Sequence, residues 1–508
     1  MPSIYIINPA SNAPGYHTSE ASADEQGGWA EVADLAVATV AAFVPRDWTV
    51  RLTDEAVSPA DLTFEADFVA ITGKVSQRKR MIELAAEFRA RGRTVLIGGS
   101  FASLNPEEMK PHADILVTGE IEQLAPKLFG DLASGDWSDR YDGGQADLSS
   151  SPLPRWDLYP THRAVLGALQ TTRGCPFNCE FCDVIQYQGR KQRHKSLDQV
   201  MAELAGLYAH GFREVFLVDD NFTVHRRWAR QVLDALTQWN HEHASDPVRF
   251  QTQASLDIAR DADLLARCRA AGLHRVFVGV ETVNEESLKE TGKRQNLLLP
   301  VAEAVSRIVE NGIAVEAGII IGFDHDGPDI FERMLDFLQA SPLPFLTIGV
   351  LTAPAKTDLH KRLTREGRII GEVWQTCAGN PFETNIRPAQ MDRDTLLRRT
   401  RALAMELYQP ERFEKRMFKL IESYGTADAA VAPRALRHKS GRRRSFDMIR
   451  RISARGSREA AMANNVLRRA SQRPGTLAPV LQFLVQYEQA RHVLDHAGAS
   501  SPAETVPA

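Results

Sequence analysis

Cysteine is scarce in this chain. Five in 508 residues cannot staple a disulfide-built scaffold, and the odd count suits a reducing cytoplasm. Long hydrophobic runs are also missing. No stretch of about 18 apolar residues occurs, so no membrane-spanning helix is expected. The first ten residues, MPSIYIINPA, lack a basic region ahead of their apolar run, which argues against a signal peptide. Neither sign of charge dominates: the formal net charge is −4. With 43% hydrophobic and 25% charged residues the composition is that of a folded chain, long enough for about two to four domains.

What is present is alternation. Ile4–Ile7, Val50–Leu52, Asp67–Thr72, Thr94–Ile97 and Asp114–Val117 are strand-like apolar runs. Gly28–Phe43 and Gln77–Arg91 carry helical periodicity between them. Short β and α elements in turn predict a parallel, doubly wound α/β sheet. Residues 131–160, with Gly143, Gly144, Pro152, Pro154 and Pro160, change character and suggest a connector. A second alternating block follows, with strands at Ala168–Thr172, Glu214–Val218, Arg249–Gln253, Arg275–Glu281, Ala314–Ile321 and Phe345–Val350. About six βα units fit a partial barrel better than the eight of a closed one. From about residue 390 the pattern is helical and rich in Arg.

Three of the five cysteines fall together, in Arg173-Gly174-Cys175-Pro176-Phe177-Asn178-Cys179-Glu180-Phe181-Cys182. Three soft thiolates on one loop after a strand can converge on one metal centre. A structural zinc site wants four ligands, and no fourth Cys or His pair lies at suitable spacing. An iron–sulfur cube with three protein ligands leaves one iron open to bind something else. A zinc site completed by a distant His, or three unrelated buried cysteines, are the alternatives. Cys268 lies on an apolar helical stripe and suggests packing, and Cys377 lies in a loop. His241 and His243 sit at a polar helix end and suggest surface.

This cysteine spacing, with Phe181 before the last Cys, resembles the radical S-adenosylmethionine superfamily. The resemblance implies that Cys175, Cys179 and Cys182 hold a [4Fe–4S] cluster whose open iron takes S-adenosylmethionine. It implies cosubstrate contacts from Phe181, from Asp219 and Asp220 after the second strand, from Glu281 after the fourth, and from Gly318 on the fifth. Arg190, Lys191, Arg193, His194 and Lys195 are expected to form a solvated basic stretch, with contact to a carboxylate or phosphate as the alternative.

Gly98-Gly99-Ser100 and Gly119-Glu120 end two strands of the first block, and with the segments IGGSFASLNPEE and DILVTGEIEQL they resemble the cobalamin-binding class of that superfamily. The likeness covers about residues 1–420 and is closest to the hopanoid-methylase-like branch, on RGCPFNCEFCDVIQYQGRKQR and VDDNF. It implies a Rossmann-like cobalamin-binding domain over 1–140, a linker over 141–160 and a radical (β/α)6 partial barrel over 161–385. A helical domain over 386–496 and a disordered tail over 497–508 follow. Cobalamin would be bound by Thr72, Lys74, Val75, Ser76, Gly98, Gly99, Ser100, Gly119 and Glu120. The Asp-x-His-x-x-Gly motif that supplies an axial His elsewhere is absent, so the loop Thr72–Gln77 is the candidate lower face. At Ala353-Pro354-Ala355-Lys356-Thr357 relatives often have Pro-Gly-Thr, so this turn is expected to differ.

The implied activity is methyl transfer from methylcobalamin to an unactivated carbon of a lipid or other small molecule, through a 5′-deoxyadenosyl radical. Flavodoxin or ferredoxin would supply the electron. Ring contraction or oxidative cyclisation with the same cofactors is one alternative. A cobalamin or iron–sulfur sensor on an anionic polymer is another. Residues 434–473 hold 13 Lys and Arg against Asp447 and Glu459. That segment suggests peripheral contact with anionic lipid, and with Phe446 as its lone aromatic it does not suit nucleic acid.

Overall fold

The computed structural model describes residues 1–12, 15–16, 28–377, 379–425 and 439–496, without the side chains of 439–446 and 474. The strands are, in chain order, β1 (Ser3–Asn8), β2 (Ala30–Val32), β3 (Thr49–Asp54), β4 (Phe68–Thr72), β5 (Thr94–Gly98), β6 (Ile115–Thr118) and β7 (Arg140–Asp142). There follow β8 (Ala164–Leu169), β9 (Thr172–Arg173), β10 (Arg193–His194), β11 (Glu214–Leu217), β12 (Arg249–Ala254), β13 (Leu273–Glu281), β14 (Ala314–Ile321) and β15 (Leu346–Val350).

The first sheet is parallel, in the order β3-β1-β4-β5-β6-β7. Its strands are apolar at successive positions because both faces are covered. Tyr5, Ile7, Val69 and Val95 pack under the helix Arg78–Ala90 through Met81, Leu84, Ala85 and Phe88. Ile4, Ile6, Leu96 and Ile115 point the other way, into a core that runs on without a break into the second sheet. Strand order reverses between β1 and β4, the place where open α/β sheets form a ligand crevice at their carboxyl ends.

The second sheet is a curled, parallel half-barrel in the order β15-β14-β13-β12-β11-β8-β2. Six of its strands are those read from the sequence. The seventh corrects that reading. Within Gly28–Phe43, expected to be helical throughout, Ala30 pairs with Ala164 and Val32 with Leu166. The helix starts only at Leu35, where the Asp34 side chain accepts from the Val37 N–H at 3.0 Å.

Residues 131–160 are also more ordered than their composition suggests. They contribute the end of the helix Ala125–Ser134, strand β7, and the buried side chains of Tyr141, Trp156 and Tyr159.

Past the barrel, the described helices are Arg393–Leu407, Pro410–Ser423, Lys439–Ala454, Ser457–Ser471 and Leu477–His496. They close the barrel edge. Tyr408 Oη donates to the Leu346 carbonyl at 2.7 Å, and buried Arg416 donates to the Leu343 carbonyl at 3.0 Å. The basic segment lies partly outside the described residues. Within them, Arg455, Arg458 and Arg469 pair with Glu488, Glu411 and Glu422 of neighbouring helices, so part of that charge fastens helix to helix. The tail 497–508 lies outside the described residues. Among the described residues, no helix is long and apolar enough to cross a membrane.

Candidate active site

The cysteine loop leaves the carboxyl end of β8 and is held from beneath. Asp219, fully buried, accepts from Thr171 N–H at 2.6 Å and Thr172 N–H at 3.1 Å, and from both threonine hydroxyls. Both of its oxygens are consumed, which corrects the expectation that it contacts the cosubstrate: Asp219 is an anchor for the loop. Asp220 is placed differently. It accepts the Gly174 N–H at 2.8 Å, and burial pushes its carboxyl up to about 6. Gly174 sits at φ +92°, and a Cβ there would lie 2.6 Å from the Lys191 carbonyl oxygen, so the turn into Cys175 requires glycine.

All five cysteines are free. Burial raises Cys175 and pushes Cys182 up to about 12, so without a compensating cation these are thiols. Among the described residues no three His, Cys, Asp or Glu side chains converge tightly enough for a single ion. Cys175, Cys179 and Cys182 are three soft donors on one loop, a donor set that fits three corners of a [4Fe–4S] cube. Phe181 packs on Phe323, ring centroids 5.9 Å apart.

Beside this loop lies a buried pair that sequence reasoning half found. Glu281 was expected; its partner Lys293, at 2.7 Å, was not. Glu281 holds a left-handed backbone at φ 65° where the β13–β14 register shifts. A Cβ on Gly279 would meet Glu281 Oε1 and Lys293 Nζ, so a larger residue there would shift this pair. Although desolvation opposes it, Lys293 is held charged by the Glu281 carboxylate beside it. Gln295, also missed, donates Nε2 to Cys179 Sγ at 3.7 Å. Gly318 makes room for Phe277, 3.0 Å from a Cβ placed there, and faces packing rather than open space.

A cavity of about 1200 Å3 joins the carboxyl edge of the first sheet to the lumen of the half-barrel. Thr72, Lys74, Gly98, Gly99, Ser100, Gly119 and Glu120 line it. Val75 and Ser76 do not: Val75 packs in the first sheet's core, and Ser76 Oγ meets Ser11 Oγ at 3.1 Å. Buried Gln77 shapes this loop by donating to Asn8 Oδ1 at 2.8 Å and accepting the Lys74 N–H at 2.9 Å. Small residues at the strand ends, and Gln188 Oε1 and Glu122 Oε2 near the wall, which have no partner among the described residues, suit a large, polar-edged group such as cobalamin.

The two halves of the site are tied by charge. Glu120 pairs with Arg173 at 2.8 Å and Arg193 at 2.5 Å, and Glu122 with Arg173 at 2.6 Å. Glu120 thus lines the cavity while spending its carboxylate on the cluster loop. Of the stretch 190–195, Arg190 and Lys191 are exposed as expected, but Arg193 is in this clasp, Lys195 is buried against Glu203, and His194 packs edge-on against Trp228. Lys356 adopts the left-handed backbone, φ 69°, that the glycine of Pro-Gly-Thr would provide, and its Nζ reaches the Ser103 carbonyl at 2.9 Å. Cys268 is core, Cys377 is buried beside Thr376, and His243 stacks on Trp239.

Comparison with known proteins agrees with this layout. Residues 169–368 match the Radical SAM superfamily, and 357–500 match a domain of unknown function, DUF4070. Hopanoid C-2 methylase of Rhodopseudomonas palustris (strain TIE-1) is 31% identical over 481 residues, covering 91% of this chain and 87% of that protein. An uncharacterized methyltransferase of Synechocystis sp. is 35% identical over 407 residues, covering 78% of this chain and 75% of that one. The radical S-adenosylmethionine methyltransferase TsrM from Kitasatospora setae, solved with tryptophan substrate and a SAM analog, superposes with a TM-score of 0.57. It is 17% identical and spans 72% of this chain and 76% of that one, a likeness of fold.

Proposed function

We propose, from the premise that the chain belongs to the cobalamin-dependent radical S-adenosylmethionine methylase family, that it transfers a methyl group to an unactivated carbon of a lipid or isoprenoid. The observation that carries this is the joining of the cysteine loop and the small-residue strand ends of the first sheet by one cavity and one charge clasp. When bound, the cluster supplies an electron to S-adenosylmethionine and cobalamin supplies the methyl group.

The chain's own part is to hold, orient and keep dry. Cys175, Cys179 and Cys182 would bind three irons, leaving the fourth for the cosubstrate. Lys293 and Asp220, a cation and an anion both near Cys175, would complement the carboxylate and ammonium of a methionine group. Thr72, Lys74, Gly98, Gly99, Ser100 and Gly119 would receive cobalamin. Ala168, Phe216, Val218 and Phe277 wall the lumen with groups that exclude water. The reading places the protein in a reducing cytoplasm, with flavodoxin or ferredoxin as electron donor.

Anaerobic reconstitution with iron, sulfide and hydroxocobalamin tests it. Cys175→Ala is expected to abolish 5′-deoxyadenosine formation while cobalamin stays bound; retained cleavage would overturn the cluster assignment. A product about 14 mass units heavier, roughly one CH2, marks methyl transfer. A product without that gain points instead to ring contraction or cyclisation, and rejects the methyl-transfer reading.

A further inference from the structure

The apolar lumen has a polar floor. Arg275 on β13 and Glu316 on β14 pair at 2.6 Å, each about a twentieth exposed, and both line the cavity. From below, Gln486 of the helix Leu477–His496 donates to Glu316. Gln251 and Gln253, two residues apart on β12, face the same cavity. Neither Gln side chain has a hydrogen-bond partner among the described residues, and Arg275 Nε and Gln486 Oε1 are buried without one. The Gln251 and Gln253 amides, spent on no protein group among the described residues, open onto the cavity beside the Arg275–Glu316 pair and offer donors and acceptors to whatever enters it.

Charge says what enters. Arg275 is already balanced by Glu316, and Gln251, Gln253 and Gln486 are neutral. A carboxylate or phosphate would meet Glu316 as much as Arg275, and an ammonium the reverse. Hydroxyl, carbonyl and amide groups can both donate to and accept from such a set without bringing charge into the lumen.

We propose that the lumen between β11 and β14 is the subsite for the neutral polar end of an otherwise apolar substrate, with the carboxyl-terminal helix as its floor through Gln486. This rests on the methylase reading above and refines its substrate class. Phe216, Val218 and Phe277 take the apolar body, and Gln251, Gln253 and Arg275 take the polar end.

The test uses the full chain loaded with cluster and cobalamin, and Prodan, a neutral naphthyl ketone whose emission shifts to the blue in apolar sites, as the probe. Decanol, decanoate and decyltrimethylammonium compete for it. Decanol is expected to displace Prodan at least tenfold more effectively than either ion. Gln251→Leu/Gln253→Leu, close in shape, should weaken decanol about tenfold, while its thermal melt and cobalt content match the parent. Equal displacement by decanoate, or an unchanged decanol titration in the variant, would overturn the proposal. So would Prodan binding that appears only in cobalamin-free protein, since the lumen would then belong to the cofactor. Iron, cobalt and deoxyadenosine assays on the same samples report separately on the methylase reading, so the two can fail independently.

Discussion

Cys179 differs from its two neighbours in what reaches its sulfur. Cys175 has the backbone N–H of Phe177 near it, and Cys182 those of Val184 and Ile185, donors that survive any side-chain change. Cys179 has the Gln295 amide, 3.7 Å away. A donor on a cluster thiolate stabilises the more negative, reduced state and raises the potential. Gln295→Leu removes that donor at similar volume. The cluster's midpoint potential is expected to fall by on the order of 20–60 mV, the equivalent of one hydrogen bond, in a redox titration followed by electron paramagnetic resonance. An unchanged or higher potential would show that the amide does not act on the cluster. Nothing in Arg294-Gln295-Asn296 signals this role, because the contact joins residues 116 apart in sequence. Asp219 and Asp220 teach the same lesson at close range. Two adjacent carboxylates after a strand are indistinguishable by type, yet one is consumed by Thr171 and Thr172 and the other faces Gly174.

Elements meet here through charge as well as through apolar packing. Arg173 ends β9 two residues before Cys175, and its fork spans Glu120 and Glu122 of the loop after β6. Arg193 on β10 completes the clasp, and β10 pairs with β9. Removing the Arg strands the buried Glu122 carboxylate and leaves Glu120 to Arg193 alone, and an uncompensated buried charge is worse than the loss of a whole pair. Arg173→Met should therefore cost about 3 kcal/mol in urea unfolding, and Arg173→Lys should recover little, since one ammonium cannot bridge two carboxylates. A loss under about 1 kcal/mol would mean that the clasp is solvated and weak. The regular elements were legible because parallel strands buried on both faces leave continuous apolar runs, as in β4, β5 and β14. Strands β2 and β7, three residues each, are too short to carry any period, and pairing alone makes them strands. The cysteine loop was legible from spacing. Its supports, Arg173, Lys293 and Gln295, were not, because a charged or amide side chain looks the same in sequence whether solvated or buried.

At the scale of the whole molecule, the two sheets share one core, and Asp54 sits where they are joined. It ends β3, lines the cavity, and takes the Tyr159 hydroxyl at 2.5 Å and the Asn8 amide at 2.9 Å. Burial, aided by the charge of Asp34, pushes its carboxyl from 3.8 up to about 6. A raised carboxyl pKa means that the folded chain binds a proton the unfolded chain has released. Stability from this group is fully present below about pH 4, is lost as pH climbs to about 6, and is flat above that. Asp54→Asn keeps the shape and the bonds from Asn8 and Ala56 to the amide oxygen, turns the Tyr159 contact round so that the new amide N–H donates to the hydroxyl oxygen, and removes the titration. The variant should be more stable than the parent at pH 7.5 by up to about 3 kcal/mol, and the advantage should vanish near pH 4. Urea midpoints of both proteins across that range read the difference directly, cancelling the other carboxylates. Because Ile4, Leu96 and Ile115 pack into the same core as the barrel strands, the shift should appear in one transition for the whole chain. A pH-independent gap between the two proteins would remove Asp54 as its source. Two separate transitions, with the shift in one, would show that the shared core does not couple the sheets.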